Sequence, residues 1–225
     1  KTIDNDLRGT VITFGFDTAV SIATEAIDRL HSTAKSHERV MVVEVMGRHA
    51  GWIALNSGIS GAADIILIPE IPFDIELICE HIMERELQGQ RYSIVVAAEG
   101  AAPVGGQAFY KGKGEAGRQD VVLGGIAERL AGEISKMTGK DTRSIVLGHL
   151  QRGGSPTTFD RLIALRFGAA AVRMIEEKRF GTMVALDPPE VKGIPLEKVI
   201  GKIRNVPVDC DTIRTAREIG ISFGD

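Results

Sequence analysis

Three apolar runs, at residues 40–45, 65–68 and 93–98, constrain this chain more than any other feature. Each is short and lacks the apolar/polar alternation of a half-solvated strand, so each reads as a strand buried on both faces. Helical stripes lie between and around them. Ala19, Ala23, Ala26, Ile27 and Leu30 mark the inward side of one helix, with Asp17 as its cap. A small-residue helix is expected over 52–60. Asp74 opens another that turns Ile78, Ile82 and Met83 inward. Val122, Ile126, Leu130 and Ile134 recur every fourth residue and read as a further helix. Beyond them, strands are predicted at 144–147 and 182–186, a long helix at 159–176, and two short helices near 196–202 and 211–219. Residues 100–117, rich in Gly and polar side chains, are expected to form a surface loop. Strand–helix alternation with buried strands implies an α/β fold, a parallel sheet with helices on both faces.

Bulk properties exclude more than they suggest. A net charge of −3 offers no basic excess for nucleic acid. No apolar stretch approaches the ~18 residues of a membrane span. The polar opening, residues 1–6, is followed by no apolar core and does not read as a signal peptide. Cys79 and Cys210 lie far apart outside any metal-ligand spacing, which fits small, reduced, buried or half-buried side chains and a cytoplasmic setting. Dinucleotide, Walker-type, zinc-protease and CxxC patterns are absent.

Four strings carry candidate chemistry. In Thr2-Ile3-Asp4-Asn5-Asp6, two carboxylates and a hydroxyl suit phosphoryl transfer: one carboxylate takes a hydroxyl proton while its neighbour helps place a metal ion. Alone, the same string also reads as a turn. Met46-Gly47-Arg48 follows the first buried strand, where open parallel sheets bind ligands and an Arg can neutralise a phosphoryl group; a Gly turn with a surface Arg fits equally. In Gly148-His149-Leu150-Gln151-Arg152-Gly153-Gly154-Ser155-Pro156, His149 and Arg152 precede a helix start and make a phosphate seat, which Arg143 joins if the strand end curls back; a structural turn is the alternative. Glu99 ends the third run, where it can accept sugar hydroxyls or stand as a solvated strand end. Trp52, Phe14 and Phe16 read as core residues.

In this order these strings resemble the phosphofructokinase family over about residues 1–180, with Ser36-His37-x-Arg39 adding to the match. Phe16-Asp17-Thr18-Ala19 and His49-Ala50-Gly51-Trp52 resemble the bacterial subgroup that uses ATP or pyrophosphate. The resemblance implies transfer of a phosphoryl group to the 1-hydroxyl of fructose 6-phosphate, with Mg2+. Asp4 would be the base, Thr2 would contact the transferring group, and Asp6 would support the metal. Arg48 would stabilise the transition state, and Met46, Gly47 and Glu99 would line the sugar site. Arg143, His149 and Arg152 would hold the 6-phosphate. Arg39 would reach a neighbouring subunit's sugar phosphate, making a homo-oligomer, dimer or tetramer. Two three-layer α/β domains are implied: a small sugar-phosphate-binding one over 16–150, and a large donor-binding one of which 1–15 and 151–206 are pieces, followed by a helical tail at 207–225.

In the family a glycine-rich donor loop and a metal segment precede the first string. The chain opens without Met inside that string and is read as a piece of a longer protein; starting physically at Lys1, it is expected to show no turnover and a poorly stable remnant of the large domain. By the same resemblance, Lys1 stands where the strictly ATP-using bacterial type carries Gly and would put a cation at the inner phosphates of ATP, which leans towards pyrophosphate, although the resembled subgroup carries this Lys with either donor. The competing reading is a non-catalytic sugar-phosphate-binding or regulatory subunit of the same fold.

Overall fold

The structure, a computed structural model, describes residues 2–112 and 122–225. Its centre is a parallel sheet of four strands, β1 (Val40–Val45), β2 (Ile65–Leu67), β3 (Ser93–Ala98) and β6 (Thr142–Val146), in the order β2-β3-β1-β6. All three predicted apolar runs are in it, and every residue of β1, β2 and β3 is buried. Alternate side chains feed two cores, as the two-residue strand period dictates. Met41, Val43 and Val45 pack with α1 (Phe16–His37) and α2 (Trp52–Ser60), while Val40 and Val42 pack with α3 (Ile75–Leu87) and α4 (Ile126–Thr138). The result is a helix–sheet–helix sandwich.

A third, smaller core lies apart. Ile163 and Phe167 of α5 (Thr158–Glu176) meet Leu186 of β7 (Thr182–Asp187), with Ile12, Phe14 and Val191 against them. β7 pairs antiparallel with β8 (Glu190–Pro195), a strand that the sequence reading does not contain. The tail returns to the first body: Ile213 and Ala216 of α6 (Asp211–Glu218), with Phe223, join the α1–α2 core.

Several local expectations change. Asp17 does not cap α1. The N-cap is Gly15, in a left-handed conformation that places Asp17 inside the first turn. Met83 is exposed, because it stands ~100° round the helix from the inward Ile82. Val122 belongs to a short strand, β5 (Val122–Leu123), paired with β4 (Tyr110–Gly112), so α4 begins four residues later. In the 100–117 segment, Ala101 is fully buried and Pro103 bridges to Phe73; 113–117 lie outside the described residues. Only Leu196–Lys198 of the expected 196–202 helix is helical, as a single 3-10 turn. Cys79 is buried and Cys210 half-buried, both as free thiols.

Candidate active site

The site forms at the carboxyl ends of β1 and β3. Beyond Val45, Gly47 takes a φ of 142° that a side chain resists, and a Cβ there would sit 2.8 Å from the Ala50 carbonyl. The chain after β3 crosses directly over it. Gly100 donates its N–H to the Gly47 carbonyl at 3.1 Å, and a Cβ on Gly100 would lie 2.0 Å from the Arg48 carbonyl oxygen. Glycine is thus required where these two strand ends cross, and the crossing carries Met46, Gly47, Arg48 and Glu99 into one group. Arg48 is half-buried there.

Residues 2–6 lie beside this crossing. The Thr2 hydroxyl donates to Asp4 Oδ2 at 3.2 Å and accepts the Asp4 N–H at 3.0 Å. Asn5 is buried in a left-handed conformation, φ 55°, which Asn tolerates better than most residues. Its Oδ1 accepts the Thr13 N–H at 2.9 Å. Asp4 and Asp6 thus flank a fixed bend, both half-buried.

Burial, then the charge of Asp6, pushes the Asp4 carboxyl above its usual range, opposed by the Thr2 hydrogen bond and by Arg152 and His49. Burial, then Asp4 and Glu44, likewise pushes Glu99 up, against the Gly47 backbone and Arg152. Asp4 thus lies within electrostatic reach of Asp6, Glu99 and Arg152. Such carboxylates are more basic than free ones and accept hydroxyl protons more readily.

His149 and Arg152 sit on the 3-10 turn Gly148–Arg152 that follows β6, both exposed. Gln151 between them is buried and stitches two strings together: Oε1 accepts the Met46 N–H at 3.3 Å and Nε2 donates to the Gly148 carbonyl at 3.2 Å. Nothing in the sequence around Gln151 signals this role. Beside the turn, a cavity of about 370 Å³ is lined by Ile3, Phe14, Gln151, Arg152, Asp160 and Ala164. Phe14, expected as core, is therefore a cavity wall as well.

Arg143 is not brought to this group. In register it stands beside Met41, five residues short of Met46, or ~16 Å along the strands at ~3.3 Å per residue. The strand does not curl back. Arg143 instead reaches Asp141 at 3.1 Å, and Arg39 binds the same carboxylate, so the two arginines form a pair at the amino ends of β1 and β6. Lys1 lies outside the described residues. Among the described residues no group of three or more His, Cys, Asp or Glu side chains is arranged to hold a metal ion by itself. No helix among the described residues is long and apolar enough to cross a membrane.

Comparison with known proteins follows the same residues. The family described as Phosphofructokinase matches residues 1–175. An ATP-dependent 6-phosphofructokinase of Chloroflexus aurantiacus is 53% identical over 225 residues, covering 100% of this chain and 61% of its own. A pyrophosphate–fructose 6-phosphate 1-phosphotransferase of Amycolatopsis methanolica is 52% identical over 207 residues, covering 92% of this chain and 60% of its own. A crystal structure of a pyrophosphate-dependent phosphofructokinase from Marinobacter aquaeolei superposes with a TM-score of 0.77 at 28% identity, over 99% of this chain and 55% of that one. The chain thus spans about three fifths of the length of these curated relatives.

Proposed function

Since the chain belongs to the phosphofructokinase family, we propose that it serves phosphoryl transfer from ATP or pyrophosphate to the 1-hydroxyl of fructose 6-phosphate, giving fructose 1,6-bisphosphate. The observation that carries this reading is the bend at residues 2–6, where a basic, half-buried Asp4 is bound to Thr2 and lies within electrostatic reach of Asp6, Glu99 and Arg152. Asp4 takes the proton of the sugar hydroxyl as the oxygen attacks phosphorus. Thr2 is then freed to contact the transferring group, and Arg48 meets the charge that develops on it. Glu99 accepts sugar hydroxyls beside Met46 and Gly47, while His149 and Arg152 hold the 6-phosphate.

Asp6 fits a Mg2+ ion that arrives with the donor's phosphates, because magnesium needs only one or two protein carboxylates beside phosphate and water. When bound, that ion supplies charge neutralisation at the phosphates. Relatives named for each donor match this chain about equally well, at 53% and 52% identity, so the donor stays open between ATP and pyrophosphate.

Arg39 acts on a neighbouring copy's sugar phosphate in a homo-oligomer, and its sharing of Asp141 with Arg143 supports the same task for Arg143. The small core of α5 and the β7–β8 hairpin, with Ile12 and Phe14, supports 1–15 and 151–206 as parts of a donor-binding domain and 16–150 as the sugar-phosphate domain. The tail at 207–225 packs on the latter. Two free thiols agree with a cytoplasmic setting.

Replacing Asp4 by Ser in the natural protein that carries this sequence tests the reading. Turnover falls by several powers of ten, on the order of general-base and positioning losses, while fructose 6-phosphate still binds. Unchanged turnover removes Asp4 as the base, whereas a parent protein with no turnover that still binds fructose 6-phosphate makes the non-catalytic subunit the better reading.

A further inference from the structure

Arg204 lies between β8 and α6, beyond the residues matched by the family. It is half-buried and holds the 2–6 bend from outside. Its backbone N–H donates to the Asp6 carbonyl at 2.8 Å, and its Nη1 donates to the Asn5 carbonyl at 3.3 Å. The guanidinium carbon stands 4.2 Å from the ring centroid of Trp52, the only tryptophan in the chain. Trp52 closes the circuit by donating Nε1 to the Arg204 carbonyl at 2.8 Å. The segment around Arg204 is itself tethered: Ile203 bridges to Leu7, and the Val206 N–H binds Glu70 at 2.8 Å.

The bend needs such a hold. Asn tolerates the left-handed region better than most residues but does not favour it over extended or helical backbone, so an unsupported Asn5 relaxes and turns the carboxylates on either side of it. Thr13 secures the Asn5 side chain, and Arg204 secures the two carbonyls at Asn5 and Asp6. A flat guanidinium suits this place, because it stacks on an aromatic face while its N–H edge still donates in plane.

We propose that Arg204, stacked over Trp52, is a positioning residue for phosphoryl transfer that pins the peptide carbonyl between Asp4 and Asp6 without touching the sugar phosphate. This rests on the reading of Asp4 as the base. Loss of the guanidinium therefore lowers kcat and spares KM, whereas a merely structural residue would lower the folded fraction and leave the kcat of folded molecules alone.

The test uses Arg204→Ala and Arg204→Lys in the natural protein, with kcat, KM for fructose 6-phosphate and hydrogen exchange of the peptide covering residues 2–13. For Arg204→Ala, kcat per folded molecule falls ~10- to 100-fold, the scale of a small misplacement of reacting groups. KM stays within about twofold, and exchange in 2–13 quickens. Arg204→Lys, which keeps a donor but not the flat fork, recovers part of kcat. A kcat within about twofold of the parent, or a rise in KM with kcat unchanged, overturns the proposal. If Arg204→Ala does not fold, Trp52→Phe, which keeps an aromatic face but loses the Nε1 donor and one of the two fused rings, decides: a several-fold fall in kcat at constant KM supports it and an unchanged kcat overturns it. If the parent protein transfers no phosphoryl group to fructose 6-phosphate, the functional reading falls instead. Exchange then still decides whether Arg204 holds the bend, unchanged exchange in 2–13 overturning it.

Discussion

Glu70 follows β2 and is half-buried, yet it carries two connections that no neighbour in sequence supplies. Its carboxylate accepts the N–H of Gly51, the N-cap of α2, at 3.1 Å, and the N–H of Val206 at 2.8 Å. A carboxylate there also faces the positive end of α2. Burial nevertheless dominates and pushes its pKa up, against those hydrogen bonds. The folded state therefore binds the Glu70 proton more tightly than the unfolded chain. Its favourable contribution is complete below the ordinary glutamate value, ~4.3, and is lost as pH rises through the higher folded-state value. Urea titrations of Glu70→Gln and the parent across this window should show the variant's stability, relative to the parent, improving as pH increases. Lost hydrogen bonds move the whole curve but not its slope, so a difference independent of pH would contradict this account.

Helix ends pose the same problem on the scale of elements, and here two of them solve it together. Asp160, buried in the first turn of α5, accepts the N–H groups of Gly15 and Thr18 at 2.7 Å and also the Thr18 hydroxyl, capping α1 from 142 residues away. Asp17 in the first turn of α1 accepts the Thr157 hydroxyl at 2.6 Å, and Thr157 is the N-cap of α5. Each helix start is thus completed by an acidic residue of the other. The arrangement joins the sheet-bearing body to the small core behind the 2–15 segment. Asp160→Ala removes a cap and buried bonds to a charged acceptor, together worth about 2–4 kcal/mol. Asp160→Asn, which keeps one acceptor oxygen, should lose clearly less, and chemical denaturation of both ranks them. Equal losses would mean that packing rather than capping holds the two helices.

For the molecule as a whole, α5 is the element out of balance. Ile163, Phe167, Ala170 and Met174 are buried on one side, while Phe159, Leu162, Leu165, Val172 and Ile175 are exposed on another. A helix apolar on both sides belongs in the interior of a larger body. The curated relatives are correspondingly longer, with this chain covering 61% of the Chloroflexus enzyme. A polypeptide of these 225 residues should bind a hydrophobic dye and self-associate, and Leu162→Lys with Leu165→Glu should reduce both. Sedimentation velocity and dye fluorescence provide the check. No change in either would show that the exposed stripe is too small or too broken to act as a patch.

What the amino-acid string determines here is whatever has a local period or a compact chemical spelling. The apolar runs of β1, β2 and β3, the stripes of α1 and α4 and the strings around Asp4, Arg48 and Arg152 could all be read, because burial on both faces and strand-end chemistry leave marks within a few residues. Tertiary structure decided the rest. β8 mixes exposed and half-buried positions and lacks an apolar run, so only its pairing with β7 makes it a strand. Nearness in sequence sets Arg143 with His149, but the parallel register of β6 on β1 puts it near Arg39, with which it shares Asp141. Asp160, Glu70 and Arg204 leave no periodic trace at all. Each satisfies a backbone group far away in the chain, and unsatisfied groups at helix starts and tight bends take whichever partner the fold brings within hydrogen-bond reach.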